Sequence, residues 1–281
     1  MAEYDWDALS QAEGDFMQQV LAEMDGAAWA RPLVEALEKA GGICRENKSF
    51  LFELRFARAL MLAGLEPAYE VQGEGLSTID FGVTCQGQAW RIELLRLAET
   101  KAAIAATREE NDEKGAVWSE RVLSSHADDM RQSTEGETLK AIERICQKCE
   151  RNGAPHKFPI PDGAYNVLLV DVRTFLHGGD VHDRLHIALG ADHVAQQWRL
   201  AWEGKPITGV FDSATTLKGA KEARERLHFV GFVNETKFGP GSMADATQLV
   251  ANPHLFETAE DAKAAVAAWP LPKVEILNLK L

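Results

Sequence analysis

The sequence predicts an α/β fold: a central mixed sheet flanked by helices, with a helical cap at the N-terminus. Three observations point to it. Short strand-like segments separated by turn residues follow one another at 68–72, 78–85 and 89–95. The continuous apolar run Tyr165 to Val172 has the character of a strand buried on both faces. Segments with helical spacing surround these strands, at 8–40, 49–63 and 137–151. A chain of 281 residues, 46% hydrophobic and 26% charged, has enough apolar material for a sizeable core.

Residues 8–40 read as two helices broken near Asp25-Gly26, with Gly41-Gly42 as the stop. Residues 49–63 are almost wholly apolar and end at Gly64, so this helix is expected to be buried on most sides. Gln86-Gly87-Gln88 joins the second and third strands as a hairpin. The charged stretch Ala98 to Thr134 is read as largely helical, with at least one exposed loop. From Glu137 to Arg151, Leu139, Ile142, Ile145, Cys146 and Cys149 recur at helical spacing, and Asn152-Gly153 ends the segment. Beyond the Tyr165 strand, Leu217–Arg226 reads as a helix, His228–Asn234 as a strand and Ala259–Trp269 as a helix. The expected organisation is an acidic helical cap over 1–47, an α/β core over 48–175, and a C-terminal α/β extension over 176–281 that packs on the same core.

The net charge of −13 is uneven: residues 1–25 carry seven acids and no lysine or arginine. An acidic total argues against a protein that coats nucleic acid indiscriminately, because phosphate affinity comes from basic side chains that release counterions. A local basic groove is compatible with it. The acidic arm reads as a solvated helical face, with a self-masking or DNA-mimicking segment as the other reading. No apolar run approaches the length of about 18 residues that crosses a membrane, and the first ten residues are acidic, so the expected location is the cytoplasm. Four cysteines in a chain this long do not make a disulfide framework, which suits a reducing compartment.

The chemistry is expected in the first strands. Asp80 stands inside the apolar run Ser77–Phe81, and Glu93 inside Trp90–Leu95. A carboxylate in such a strand needs a partner, because isolated charge burial costs several kcal/mol. Acids converging from neighbouring strands offer the hard oxygen ligands that Mg²⁺ prefers. By strand alternation Arg91, Glu93 and Leu95 face one side, and Ile92 and Leu94 face the other, taken as the core. Glu53 has Ser49, Phe50, Phe56 and Ala57 as its helix neighbours, so any basic partner must come from another element.

These residues resemble the PD-(D/E)xK, or restriction-endonuclease-like, nuclease superfamily over roughly residues 48–172. In that pattern a helix bearing a glutamate precedes a hairpin with an aspartate and then an E-x-K triplet. Glu53 in FELRFARAL matches the helix glutamate, Asp80 in STIDF the aspartate, and Glu93 in IELL the acid of the triplet, with twelve residues between Asp80 and Glu93. The resemblance implies a Mg²⁺ site at Asp80 and Glu93, with Glu53 in support, that cuts DNA phosphodiesters by an activated water. The sequence departs from the family where it matters: Leu95 stands at the position of the motif lysine, and alternation points Arg96 to the opposite face.

A substitute lysine is sought on the helix that offers Lys140, Arg144, Lys148 and Arg151 as one stripe. Lys148 is the candidate, although the stripe as a whole reads as a solvated surface balanced by Glu137, Glu143 and Glu150. The competing structural reading pairs Glu93 with Arg91, Arg55 or Arg58 and leaves Asp80 to hydrogen-bond a turn. Cys146-Gln-Lys-Cys149 reads as two buried helix cysteines rather than half a zinc site. The histidines around Asp180 read as a polar loop entering a helix. Two functions follow: a Mg²⁺-dependent nuclease, or a catalytically inactive nuclease-like module that engages a protein partner through its acidic surface.

Overall fold

A computed structural model describes residues 8–98, 100, 104, 107–111, 117–121, 133–173 and 179–278. Helices α1 (Gln11–Met24), α2 (Arg31–Lys39) and α3 (Lys48–Leu62) come first. Three strands follow: β1 (Ala68–Gln72), β2 (Thr78–Cys85) and β3 (Gln88–Arg96). Helix α4 (Thr134–Cys149) leads into β4 (Ala164–Asp171), α5 (Val181–Leu189) and α6 (Ala220–Arg226). Strands β5 (Phe229–Val233) and β6 (Thr247–Ala251), helix α7 (Ala259–Val266) and the short strand β7 (Glu275–Ile276) complete the described chain.

The seven strands form one sheet in the order β1-β2-β3-β4-β5-β6-β7. The pairs β1/β2, β2/β3 and β5/β6 are antiparallel, and β3/β4, β4/β5 and β6/β7 are parallel, so the sheet is mixed. Its last three strands come from beyond residue 176, so the C-terminal region extends the sheet itself. The β2–β3 hairpin turns on Gln86 and Gly87, at φ 51° and 81°. Positive φ at both central residues is what a two-residue turn requires if it is to match the strand twist.

Both faces of the sheet are covered. One is packed by Phe16 and Met17 of α1, Leu33 of α2, Leu51, Phe52 and Phe56 of α3, and Ala262 and Ala265 of α7. The other is packed by Ile142, Ile145, Cys146 and Cys149 of α4, Ile187 of α5 and Ala223 of α6. Strand β4 is buried along nearly its whole length because Val167 and Leu169 serve the first layer while Leu168 and Val170 serve the second. At the middle of β5, a side chain on Gly231 would meet Leu169 and Leu249 at 2.4 and 2.7 Å, so only glycine lets their side chains close over the strand.

Three local expectations differ from the structure. Within the stretch Ala98–Thr134, residues Thr107–Asn111 and Val117–Arg121 pair as antiparallel strands rather than helix. Most of the rest of that stretch lies outside the described residues. The acidic arm is not simply a solvated face: Glu3, Asp5 and Asp7 lie outside the described residues, but Glu13 is 3% exposed and ion-paired. The side of β3 that carries Glu93 is not open, since α4 covers it and Glu93 is 0% exposed. Both cysteines of the C-x-x-C are buried, and burial pushes the Cys146 thiol up to about 12. Asp180 caps α5 reciprocally with Asp183, which places the polar segment before His182 at a helix start.

The buried Glu13 belongs to an ion cluster that ties the N-terminal helices to the sheet. Arg55 of α3 donates to Glu235 at 2.7 Å, to Glu13 of α1 at 2.9 Å and to Asp171 at the end of β4 at 3.3 Å. Arg173 adds contacts to Asp171 at 3.0 Å and Glu13 at 3.1 Å. Burial pushes the Asp171 carboxyl up, but Arg173 and Arg55 outweigh it and hold it below the usual carboxylate range. Removing one partner from such a network leaves uncompensated buried charge. Arg55→Met is therefore expected to lower the unfolding free energy by about 3–5 kcal/mol, whereas Arg91→Met, which breaks a partly exposed pair with Asp162, costs about 1 kcal/mol or less. Urea denaturation of the two variants checks this; equal small losses would show that the cluster does not hold the cap.

Candidate functional site

Strands β2 and β3 are paired by backbone from Cys85↔Gln88 as far as Phe81↔Ile92, and then part. Side chains take over at that point. The Leu94 N–H donates to Asp80 Oδ2 at 2.7 Å, and the Asp80 N–H to Glu93 Oε2 at 3.3 Å. Ile79 and Phe81, two residues apart, pack in opposite layers, so β2 turns over at Asp80. The aspartate thus sits at the fork where two strands separate, its carboxylate held by the backbone of the strand that carries the glutamate.

Glu93 is compensated by lysine and not by arginine. Lys148 Nζ lies 2.7 Å and Lys157 Nζ 2.9 Å from the same oxygen, Glu93 Oε1. The Lys148 ammonium also donates to the Leu94 carbonyl at 3.4 Å. The arginines considered as partners are committed elsewhere: Arg55 to the cluster behind α3, Arg58 to Glu23 at 2.5 Å, and Arg91 to Asp162 at 2.8 Å. Arg96 lies beside Asp171 and Arg173, away from this site. Lys148 is brought here because Ile145, Cys146 and Cys149 bury one face of α4 against the sheet and leave the lysine at the margin of that face.

Lys157 is a site residue that sequence periodicity does not reveal. It stands at φ 61°, and the Phe158 N–H donates to the His156 carbonyl across it at 2.8 Å, which makes a three-residue turn of the rare left-handed kind. Three contacts hold it there. The Lys157 N–H donates to Ser77 Oγ at 3.0 Å, its carbonyl accepts from the Glu74 N–H at 2.8 Å, and Phe158 is fully buried. A lysine kept in an unfavourable backbone conformation by neighbours on the β1–β2 turn is a feature that accompanies functional sites.

Glu53 of α3 accepts a hydrogen bond from the Tyr69 hydroxyl of β1 at 2.9 Å. Burial, with the negative charge of Glu93 added, pushes its carboxyl up to about 7 despite the tyrosine and the two lysines. Burial also raises Asp80 well above its usual value, and Glu93 and Glu53 add to the effect. The structure therefore brings Glu53, Asp80, Glu93 and Lys148 into one electrostatic neighbourhood and adds Lys157. Three acids face two ammonium groups, and burial together with mutual repulsion raises two of the acids, Glu53 and Asp80.

A cleft of about 750 Å³ opens beside this group and is lined by Leu95, Arg144, Lys148, Arg151, Lys157 and Lys218 among others. Leu95, at the motif-lysine position, faces the same cleft as the two lysines that arrive from other elements. The stripe on α4 is divided: Lys140 is paired with Glu143 on the exposed side, while Arg144, Lys148 and the following Arg151 border the cleft. As they stand, no three His, Cys, Asp or Glu side chains among the described residues are grouped to hold a metal ion. The cationic position between Glu93 Oε1 and the Leu94 carbonyl is taken by the Lys148 ammonium, so the oxygens present do suit a small hard cation. Among the described residues, no helix is long and apolar enough to cross a membrane.

The raised Glu53 has a stability signature. A carboxyl with a folded value near 7 against an ordinary 4.5 is tolerated while protonated and destabilises the fold as pH rises through 7. Glu53→Gln is thus expected to raise the melting temperature at about pH 8.5 and to leave it nearly unchanged at about pH 4.5. An equal shift at both pH values would mean that Glu53 ionises normally.

No protein-family model matches the chain, and no curated protein or solved structure matches it, so its functional reading rests on the side-chain geometry above.

Proposed function

We propose that the chain is a divalent-metal-dependent phosphodiester hydrolase of the PD-(D/E)xK type that acts on DNA, with Asp80 and Glu93 as the metal ligands. The observation that carries this reading is the meeting at Glu93 of two lysines from separate elements and of the Asp80 N–H from the neighbouring strand, with the Asp80 carboxylate held on the next N–H of the glutamate's strand. Such a hydrolase needs hard oxygen ligands, a basic group beside them and room for a phosphate. The acids meet the first need, the lysines the second and the adjoining cleft the third.

Mg²⁺ bound there would supply an activated water and offset charge at phosphorus. The chain's own groups do the rest. Glu93 and Asp80 would hold the cation. Lys148 and Lys157, both beside Glu93, would take the part of the motif lysine, orienting the water and stabilising charge that builds on the phosphate oxygens. Glu53, oriented by Tyr69 and held near neutrality, is suited to accept the water's proton. Arg144, Arg151 and Lys218 offer the cleft a positive wall for the adjoining phosphates, within a chain that is acidic overall.

The second reading, a nuclease-like module that binds without cutting and engages a protein partner through its acidic surface, is favoured by one observation: both lysines already neutralise Glu93. A plasmid-nicking assay with Mg²⁺ or Mn²⁺ separates the two. The hydrolase reading expects nicking that EDTA stops, that Asp80→Asn and Glu93→Gln abolish, and that Lys148→Met or Lys157→Met each lower by about 10²-fold or more. Folded wild-type protein with no nicking in either metal supports the binding module instead.

A further inference from the structure

Glu93 and the cleft compete for the same two lysines. Lys148 and Lys157 both line the cleft, and both ammonium groups are held within 2.9 Å of Glu93 Oε1. Glu93 is 0% exposed, whereas the Lys148 and Lys157 side chains keep 28% and 18% of their surface in solvent. The carboxylate is therefore the fixed partner and the ammonium groups are the movable ones, each on a four-carbon stem that reorients readily. A buried carboxylate binds one compensating charge at the expense of another, because each new cation reduces the attraction for those already there.

We propose that Glu93 is an electrostatic latch. In the metal-free chain it draws Lys148 and Lys157 back from the cleft; when a divalent cation neutralises it, both ammonium groups are released to meet the phosphates of bound DNA. Cation and DNA binding are then mutually reinforcing, since each favours the arrangement in which Glu93 has exchanged its lysines. The metal half of this coupling rests on the hydrolase reading, whereas the Glu93–lysine half rests on the contacts alone. The latch also gives Leu95 a rationale. A lysine on β3 itself would be fixed beside Glu93 by the strand, while lysines from α4 and from the 156–158 turn approach along the cleft wall and can serve either the acid or the substrate.

The test is fluorescence anisotropy of a labelled duplex oligonucleotide in EDTA over a series of salt concentrations. Glu93→Gln imitates neutralisation without metal. It is expected to bind at least about fivefold tighter than wild type, with a slope of log K against log salt steeper by about two, one for each released lysine. Adding Lys148→Met and Lys157→Met to that variant should remove both gains. Circular dichroism confirms that each variant is folded, and Glu93→Leu, which neutralises the position with an apolar side chain of similar size, serves if Glu93→Gln is not. The latch is overturned if Glu93→Gln binds no tighter with an unchanged slope, or if its gain survives the two added lysine changes. Nicking without the Glu93→Gln gain refutes the latch and leaves the hydrolase standing; the gain without nicking does the reverse.

Discussion

A fully buried carboxylate on a central strand is the constraint around which this molecule is arranged. Glu93 lies in the third strand, between layers of helices, with no exposed surface. Leaving it uncompensated would cost several kcal/mol, a large share of the net stability of an ordinary domain. The fold answers with two lysines, and their delivery shapes what surrounds them. One requires that helix 134–149 pack its Ile145 and Cys149 face down so that Lys148 reaches over the edge; the other requires an unfavourable turn at Lys157 pinned to Ser77 and Glu74. A backbone penalty and a desolvation cost borne at one place are what the proposed function would account for.

Helix 48–62 connects the two charged centres. Glu53 turns toward the strands of the site, while Arg55, two residues on, turns to Glu13, Asp171 and Glu235 behind it. The acidic N-terminal helix is anchored through that second centre, so its Glu13 works as a structural counter-ion. The two centres differ in what they have left over. Around Arg55 three carboxylates meet Arg55, Arg173 and Lys48, and Asp171 is held below the usual carboxylate range although burial raises Glu235. Around Glu93 the acids exceed the bases, and Glu53 and Asp80 are pushed toward their neutral forms. The shortfall of positive charge is around Glu93, where three acids meet two lysines, and that is where the cleft opens.

Much of this was legible in the sequence, for identifiable reasons. Strands and helices with a buried stripe declare themselves by period, and the order Glu53, Asp80, Glu93 on a helix and two hairpin strands was recognisable because those acids interrupt apolar runs. Lys148 was reachable from the spacing of its stripe. Lys157 was not, since it sits in a proline-rich turn without periodicity, and a left-handed lysine leaves no compositional trace; the nearest signal was the serine and glutamate of the β1–β2 turn that hold it. The arginines of the competing reading do not reach Glu93 because α3 presents Arg55 and Arg58 to its other side and Arg91 pairs with Asp162. The strands at 107–111 and 117–121 escaped because TREEN and VWSER carry too many charges to show a strand's alternation.

The account stands on Glu93 and Asp80 forming one cation site in place of the lysine contacts. Isothermal titration of the wild-type chain with Mn²⁺ tests it most directly. One ion bound per chain, and none in a folded Asp80→Asn/Glu93→Gln variant, is the predicted result. No binding to the wild type, or the same stoichiometry in the double variant, would contradict it.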